Sequence, residues 1–244
     1  MIDLMRAIHA EVLKLKRSLV LLLAVAPPLM LGLMIMAVVL TGNGPESWEQ
    51  LSLSGAAIWA YLLMPLTITA LTALMASLEH GCAGWTWSLV QPVPKTTVFA
   101  AKAVVAIGLV ALISVGVGAS VLGVSHLLRL IDPSLEMAGS PPHALMVGLL
   151  LKMWLAGMLM TGLQFTIAHA VSSFATPIIV GIGGVFVSVV ATSSEYGVYF
   201  PWLLPVNMLA SDPERAQQAL LTGSVGGVVI FALACVWLAR RDWR

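Results

Sequence analysis

Charge is what this chain has least of. Only 9% of its 244 residues are Asp, Glu, Lys or Arg, against 59% hydrophobic. That is too little charge to solvate a globule of this size, so an ordinary soluble domain is excluded. A formal net charge of +1 provides no basic excess for holding nucleic acid. Cysteine is scarce too: Cys82 and Cys235 are the only two, both expected on the reducing side of the membrane, so no disulfide is expected. No G-x-x-x-x-G-K-[ST] phosphate loop occurs, and Gly181, Gly183 and Gly184 sit inside an apolar run, so the chain is not expected to hydrolyse ATP. The histidines, His9, His80, His126, His143 and His169, are spread along the chain with no ligand spacing, and no metal site is expected. No Ser-His-acid arrangement can be argued from position. The first apolar run is long and no small-x-small site follows it, so a cleavable signal is not expected.

What the chain does have is six apolar runs, each about as long as a bilayer core is thick. They are continuous rather than alternating, which selects helices over barrel strands, because in lipid the backbone must satisfy its own hydrogen bonds. The expected fold is an all-α integral membrane protein: one domain over residues 1–244, with spans at about 19–40, 55–78, 103–124, 151–171, 177–192 and 219–239. Residues 144–150 are expected as an interfacial or re-entrant segment, with Lys152 snorkelling outward. Pro27, Pro28 and Pro65 fall within spans, where a missing N–H and a bulky ring bend a helix, so they are candidate flex points.

Orientation follows from Lys and Arg near the span ends. Arg6, Lys14, Lys16, Arg17, Lys95, Lys102, Arg240, Arg241 and Arg244 fall on one predicted side; Arg129, Lys152 and Arg215 fall on the other. Both termini are therefore expected in the cytoplasm. Residues 2–18 repeat Leu4, Ile8, Val12 and Leu15 at helical spacing, with Asp3, Arg6, Glu11, Lys14 and Arg17 on other faces. Such a segment is either an amphipathic helix lying on the inner leaflet or a plain positive anchor.

Between spans two and three runs Glu79-His80-Gly-Cys-Ala-Gly84-Trp85-Thr86-Trp87-Ser-Leu-Val-Gln91-Pro92-Val93-Pro94-Lys95. An acid at a helix end, a short half-apolar stretch with two tryptophans and closing prolines describe a short helix lying across the cytosolic ends of the bundle, or an interfacial loop with a tryptophan anchor. Small residues four apart, Gly223 with Gly227, Gly184 with Ser188 and Ala119 with Gly123, mark close packing inside one bundle or a seam between two. Within or near the spans, Gln164, His169 and Glu195 are the polar groups that could line a substrate path, Gln164 equally as an interhelix hydrogen bonder. The 13 methionines suit an adaptable path or plain core.

The order EH....W...L.QPVPK......K, with the opening Glu11-Val-Leu-Lys14-Leu-Lys16-Arg17-Ser18, resembles the six-span permease subunits of ABC-2 type exporters, and within them the lantibiotic-immunity and bacitracin-resistance branch. Gln164 followed by HAVSSF at 169–174, and YFPWLLP at 199–205, are similar to the same branch. The resemblance implies a coupling helix over about 80–90, carrying Glu79, His80, Gly84, Trp85, Trp87, Gln91, Pro92 and Lys95 against an ABC ATPase subunit. It also implies a connecting helix bearing Glu11, Lys14, Lys16 and Arg17. Unlike many members, this chain has no basic residue between His80 and Lys95, so the docking contact is expected to be apolar and centred on Trp85 and Trp87. A second permease copy or a paralogue would complete the assembly in the bilayer of a bacterial cytoplasmic membrane. No cofactor is expected on this chain, with ATP and Mg on the ATPase. The implied work is export of an amphipathic substrate, a peptide antibiotic. Two other readings stay open: an ABC membrane partner that remodels or matures another protein, and a secondary carrier. The carrier is disfavoured by the shortage of paired intramembrane charges and of any inverted repeat.

Overall fold

The computed structural model describes residues 2–16, 18–42, 44–81, 84–89, 92–131 and 137–241, with the side chains of Thr86 and Trp87 excepted. Among these residues the fold is helical, with ten α-helices: α1 (Ile2–Leu15), α2 (Leu19–Leu40), α3 (Trp48–Ile58), α4 (Met64–His80), α5 (Gly84–Leu89), α6 (Lys95–Ile131), α7 (His143–Ala156), α8 (Met158–Ala170), α9 (Ala175–Ala191) and α10 (Pro213–Arg240). The starts of α2, α3 and α10 follow ordinary capping chemistry. Ser18, Ser47 and Asp212 each accept a hydrogen bond from a backbone N–H of the first turn of α2, α3 and α10.

Four helical stretches are long and apolar enough to cross a membrane: Leu19–Leu40, Trp48–His80, Lys95–Ile131 and Pro213–Arg240. The α7–α8 pair, bent by 42°, makes a fifth candidate, and Ala175–Ala191 is a shorter apolar helix. Leu22, Phe186 and Leu233 are 67%, 71% and 60% exposed on the outer faces of α2, α9 and α10, a lipid-facing pattern that water would not tolerate over so much area. The chain is a multi-pass membrane protein.

Several expected boundaries move. The second crossing begins at Trp48 rather than 55 and contains a π turn over Trp59–Leu63, closed by the Met64 N–H on the Trp59 carbonyl. The wider turn has a local cause: an α-helical Pro65 would drive its ring into the carbonyl four residues back. By contrast, α2 runs unbroken through Pro27 and Pro28, both buried. The Pro28 ring faces Gly116 of α6, where a Cβ would stand 3.0 Å from Cγ. The break expected before residue 151 lies instead at Gly157, and Lys152 is exposed within α7. A Cβ at Gly157 would fall 2.3 Å from the Met64 Cε.

α10 packs along α8, and α2 along α6. Gly223 and Gly227 meet the α7–α8 bend, where added Cβ atoms would sit 2.1 Å from the Ala156 carbonyl oxygen and 2.4 Å from the Met158 Cβ. Gly184 lies under the Trp202 indole, 2.3 Å from where its Cβ would be. These two pairs therefore serve packing within the bundle. Ala119 and Gly123 do not; both are exposed.

Gly223→Val and Gly227→Val should each lower stability by about 1–3 kcal/mol or more, since the obstacle is backbone or its attached Cβ and cannot swing aside. Gly183→Ala, where no atom lies within 4 Å, should be near neutral. Thermal unfolding in detergent checks the contrast.

Candidate functional site: a buried charge quartet under a short helix

Where α4 ends and α6 begins, four charges of alternating sign interlock. Lys102, 1% exposed in the second turn of α6, places Nζ 2.5 Å from Glu79 Oε1 and 2.8 Å from Glu11 Oε2. Lys14 returns the circuit, 2.8 Å from Glu11 Oε1 and 2.7 Å from Glu79 Oε1. The set is electrically neutral. Its members come from α1, α4 and α6, and the short helix α5 joins through Ser88, which donates to Glu79 Oε2 at 2.7 Å and accepts from Lys14 at 3.1 Å.

The carboxylate on α1 is inside because of helical phase. Leu4, Ile8, Glu11 and Leu15 form one stripe toward the bundle, and Glu11 is 8% exposed while Val12 is 45% exposed. The expected apolar face of Leu4, Ile8, Val12 and Leu15 is thus corrected by one position, and Glu11 belongs to the buried side. Partial burial pulls the Lys14 pKa down, but hydrogen bonds and attraction from Glu11 and Glu79 outweigh it and hold the ammonium above its ordinary 10.5. Its contribution to stability is therefore complete at neutral pH and is lost only as pH climbs past the raised folded value.

The second half of the site is aromatic. Trp85 of α5 turns inward and is 9% exposed. Its Nε1 donates to His80 Nδ1 at 3.0 Å, and its ring lies 5.7 Å from Lys102 Nζ, within cation–π range. Phe99 of α6 and His169 of α8 flank it, with ring centroids at 5.5 and 6.0 Å. His169, fully buried on Phe165, has Nδ1 2.9 Å from the Phe165 carbonyl; a carbonyl only accepts, so Nδ1 carries the proton. Gly84 lets α5 start tight against the end of α4: a Cβ there would stand 2.8 Å from both the Glu79 Cα and its carbonyl oxygen.

The expected site residues sort accordingly. Glu79, His80, Gly84 and Trp85 come together with Glu11 and Lys14. Pro92, Lys95 and Lys16 are exposed nearby in the chain, while Arg17, Gln91 and the Trp87 side chain lie outside what is described. Of the two tryptophans on which the docking contact is expected to centre, Trp85 is turned inward, its indole enclosed by His80, Phe99, Lys102 and His169. Glu79 and His169 are 2% and 0% exposed. Gln164 of α8 donates to Thr69 Oγ1 of α4 at 3.2 Å, buried beneath Gly181 of α9, which is an interhelix bond. Glu195 stands apart, exposed at the start of a 3-10 turn.

Ser88 and Phe99 are not singled out by the sequence, and the burial of Lys102 is not expected from it. Lys102 counts there as a flanking charge, yet it sits among alanines seven residues inside a helix, which is the signal that it needs a buried partner. The charges just outside the expected ends of the second and third spans are thus paired with each other and with α1. The histidines are also not scattered: His80 and His169 share Trp85, and His126 meets His143, Nε2 to Nε2, at 3.0 Å. Among the described residues no group of three or more His, Cys, Asp or Glu side chains could hold a metal ion.

Beside the quartet a groove of about 530 Å³ runs between α1 and the α5–α6 connection, lined by Asp3, Arg6, Lys14, Ser88, Pro92 and Val93 among others. The quartet ties α1, α4 and α6 to one another and to the short helix α5.

Lys102→Met should cost about 3–5 kcal/mol, because it leaves buried carboxylates short of a cation. Glu79→Gln combined with Lys102→Met should cost less than the sum of the two single changes. Lys14→Met, at a site 37% exposed, should cost about 1 kcal/mol or less and should flatten the loss of stability expected of the wild type as pH rises past the raised folded value of Lys14. Thermal unfolding across pH measures all four.

Residues 7–188 match the sequence profile of a family described as "ABC-2 family transporter protein". No curated protein and no solved structure matches the chain.

Proposed function

The chain belongs to the ABC-2 transporter family, and from that premise we propose that it is the permease subunit of an ATP-driven exporter. Membership makes it a membrane transport component rather than a catalyst, and implies an ABC ATPase as its partner. In the proposed assembly two copies of the chain, or one copy and a paralogue, stand in a bacterial cytoplasmic membrane with two ATPase subunits, which hold the ATP and Mg. Six spans are counted with α7–α8 as the fourth and α9 as the fifth. Both termini and the charge quartet face the cytoplasm, a placement supported by the excess of Lys and Arg at those ends.

One observation carries the coupling reading. The short helix α5 is wired through Ser88 and Trp85 to α1, α4 and α6 at once. A push on such a unit is delivered to the spans as a rigid-body displacement rather than absorbed in a loop. The ATPase would contact the exposed rim of the groove between α1 and the α5–α6 connection, with Asp3, Arg6 and Pro92 at hand, while Trp85 anchors the element from within. The prolines Pro27 and Pro28, and the π turn ahead of Pro65, are the proposed flex points for α2 and α4, with α9 tilting beside them.

The substrate proposed is an amphipathic peptide antibiotic, such as a lantibiotic, expelled for immunity or resistance. It is supported by the likeness of the QPVPK, HAVSSF and YFPWLLP segments to that branch and by nothing in the geometry. Gln164, given its bond to Thr69, is assigned to packing rather than to the path.

Co-expression with the cognate ABC ATPase, followed by purification in nanodiscs, tests the proposal. Co-elution and ATP hydrolysis stimulated by one member of a peptide panel are expected. Trp85→Ala and Ser88→Ala should abolish the stimulation while the permease still inserts and folds. Failure of the wild-type chain to hold its ATPase would sink the coupling role; stimulation undiminished in Trp85→Ala would remove the anchor from it.

A further inference from the structure

We propose that His126 and His143 form a two-imidazole seat for a divalent transition-metal ion of the zinc, copper and nickel class, bridging the far ends of α6 and α7. The two Nε2 atoms stand 3.0 Å apart, with ring centroids 5.1 Å apart and ring planes inclined at 33°. An ion bound at about 2.0–2.1 Å from each nitrogen requires them about 2.9–3.4 Å apart, the range from a square to a tetrahedral angle at the metal. The observed separation falls inside that window. Imidazole suits these ions, and two waters or more would complete the shell.

The backbone beneath both rings is already fixed, so binding would order little. His126 lies on the long helix α6, 24 residues and so about 36 Å along the axis from Lys102; the seat is thus remote from the charge quartet. His143 opens α7 directly after Pro141 and Pro142, its N–H bonded to the Pro141 carbonyl at 3.0 Å. The approach to it is stitched to the α2–α3 connection by two backbone bonds, Ala138 N–H to the Glu46 carbonyl and Trp48 N–H to the Ala138 carbonyl. Both imidazoles are exposed, so water could satisfy each separately, and burial does not force their nitrogens together.

Without metal, one Nε2–H donates to the other Nε2 lone pair. Metal binding needs both lone pairs, so the donor ring shifts to its Nδ1–H tautomer and the rings turn slightly toward a common point. No net proton release is required from two neutral imidazoles. The bound ion would cross-link α6 to α7 at the end opposite the quartet, and would resist any movement that separates those helices there.

The test uses the full chain, purified through a tag without histidine, titrated calorimetrically with Zn²⁺ and separately with Ni²⁺, with thermal unfolding followed in parallel. One saturable ion per chain and an upward shift in Tm are expected, because a ligand that binds only the folded state stabilises it. Both effects should disappear in His126→Ala and in His143→Ala and persist in His9→Ala. His126→Gln and His143→Gln repeat the comparison should an alanine variant fail to fold. No saturable binding by the wild type, or binding that survives loss of either ring, overturns the proposal.

Discussion

Lys102 sits inside the bundle with a carboxylate on either side, and much of the architecture at that end depends on this contact. A lone ammonium at 1% exposure would be too costly to keep charged. Glu79 makes it tenable from α4, and Glu11 does so from a helix that precedes the first long apolar stretch. The requirement for Glu11 draws α1 against α6. Lys14, one turn on, then balances the second carboxylate and reaches Ser88 on α5. The helix ahead of the first long apolar stretch and the six-residue helix are thereby tied in by charge as well as by the buried Leu15 and Trp85.

Elsewhere the bundle is held by the closeness of its backbones, since lipid provides no hydrophobic drive between helices. Gly223 and Gly227 admit α10 to the bend between α7 and α8, and Gly157 at that bend admits Met64 from α4. The two interruptions in the spans, the π turn before Pro65 and the bend at Gly157, consequently face one another. The departures from regular α-helix lie along this line, whereas the quartet end is cross-linked by charge and by the Trp85 cluster.

Some of the candidate site could be read from the chain. The segment from Glu79 to Lys95 stands out through its prolines, tryptophans and position between apolar runs, and α5 does form within it. What could not be read was direction. Trp85 looks like a docking residue in one dimension because exposed and buried tryptophans share the same neighbours in sequence; only its contacts with His80, Phe99 and His169 reveal an anchor. His126 and His143 likewise look unrelated at a separation of 17 residues. A helix end, a proline pair and a stitched loop are needed to bring them face to face.

The sequence by itself determined that this is a helical membrane protein, because long apolar runs with 9% charge have no other way to satisfy their backbone. It also determined where most apolar stretches lie. Only the tertiary structure decided the partners of Lys102, the one-position shift that buries Glu11 in place of Val12, and the placing of the breaks at residues 59–63 and at Gly157. The reason is physical. Apolar length is a local property, additive along the chain, while the fate of a buried charge or a glycine depends on which other helix arrives at it.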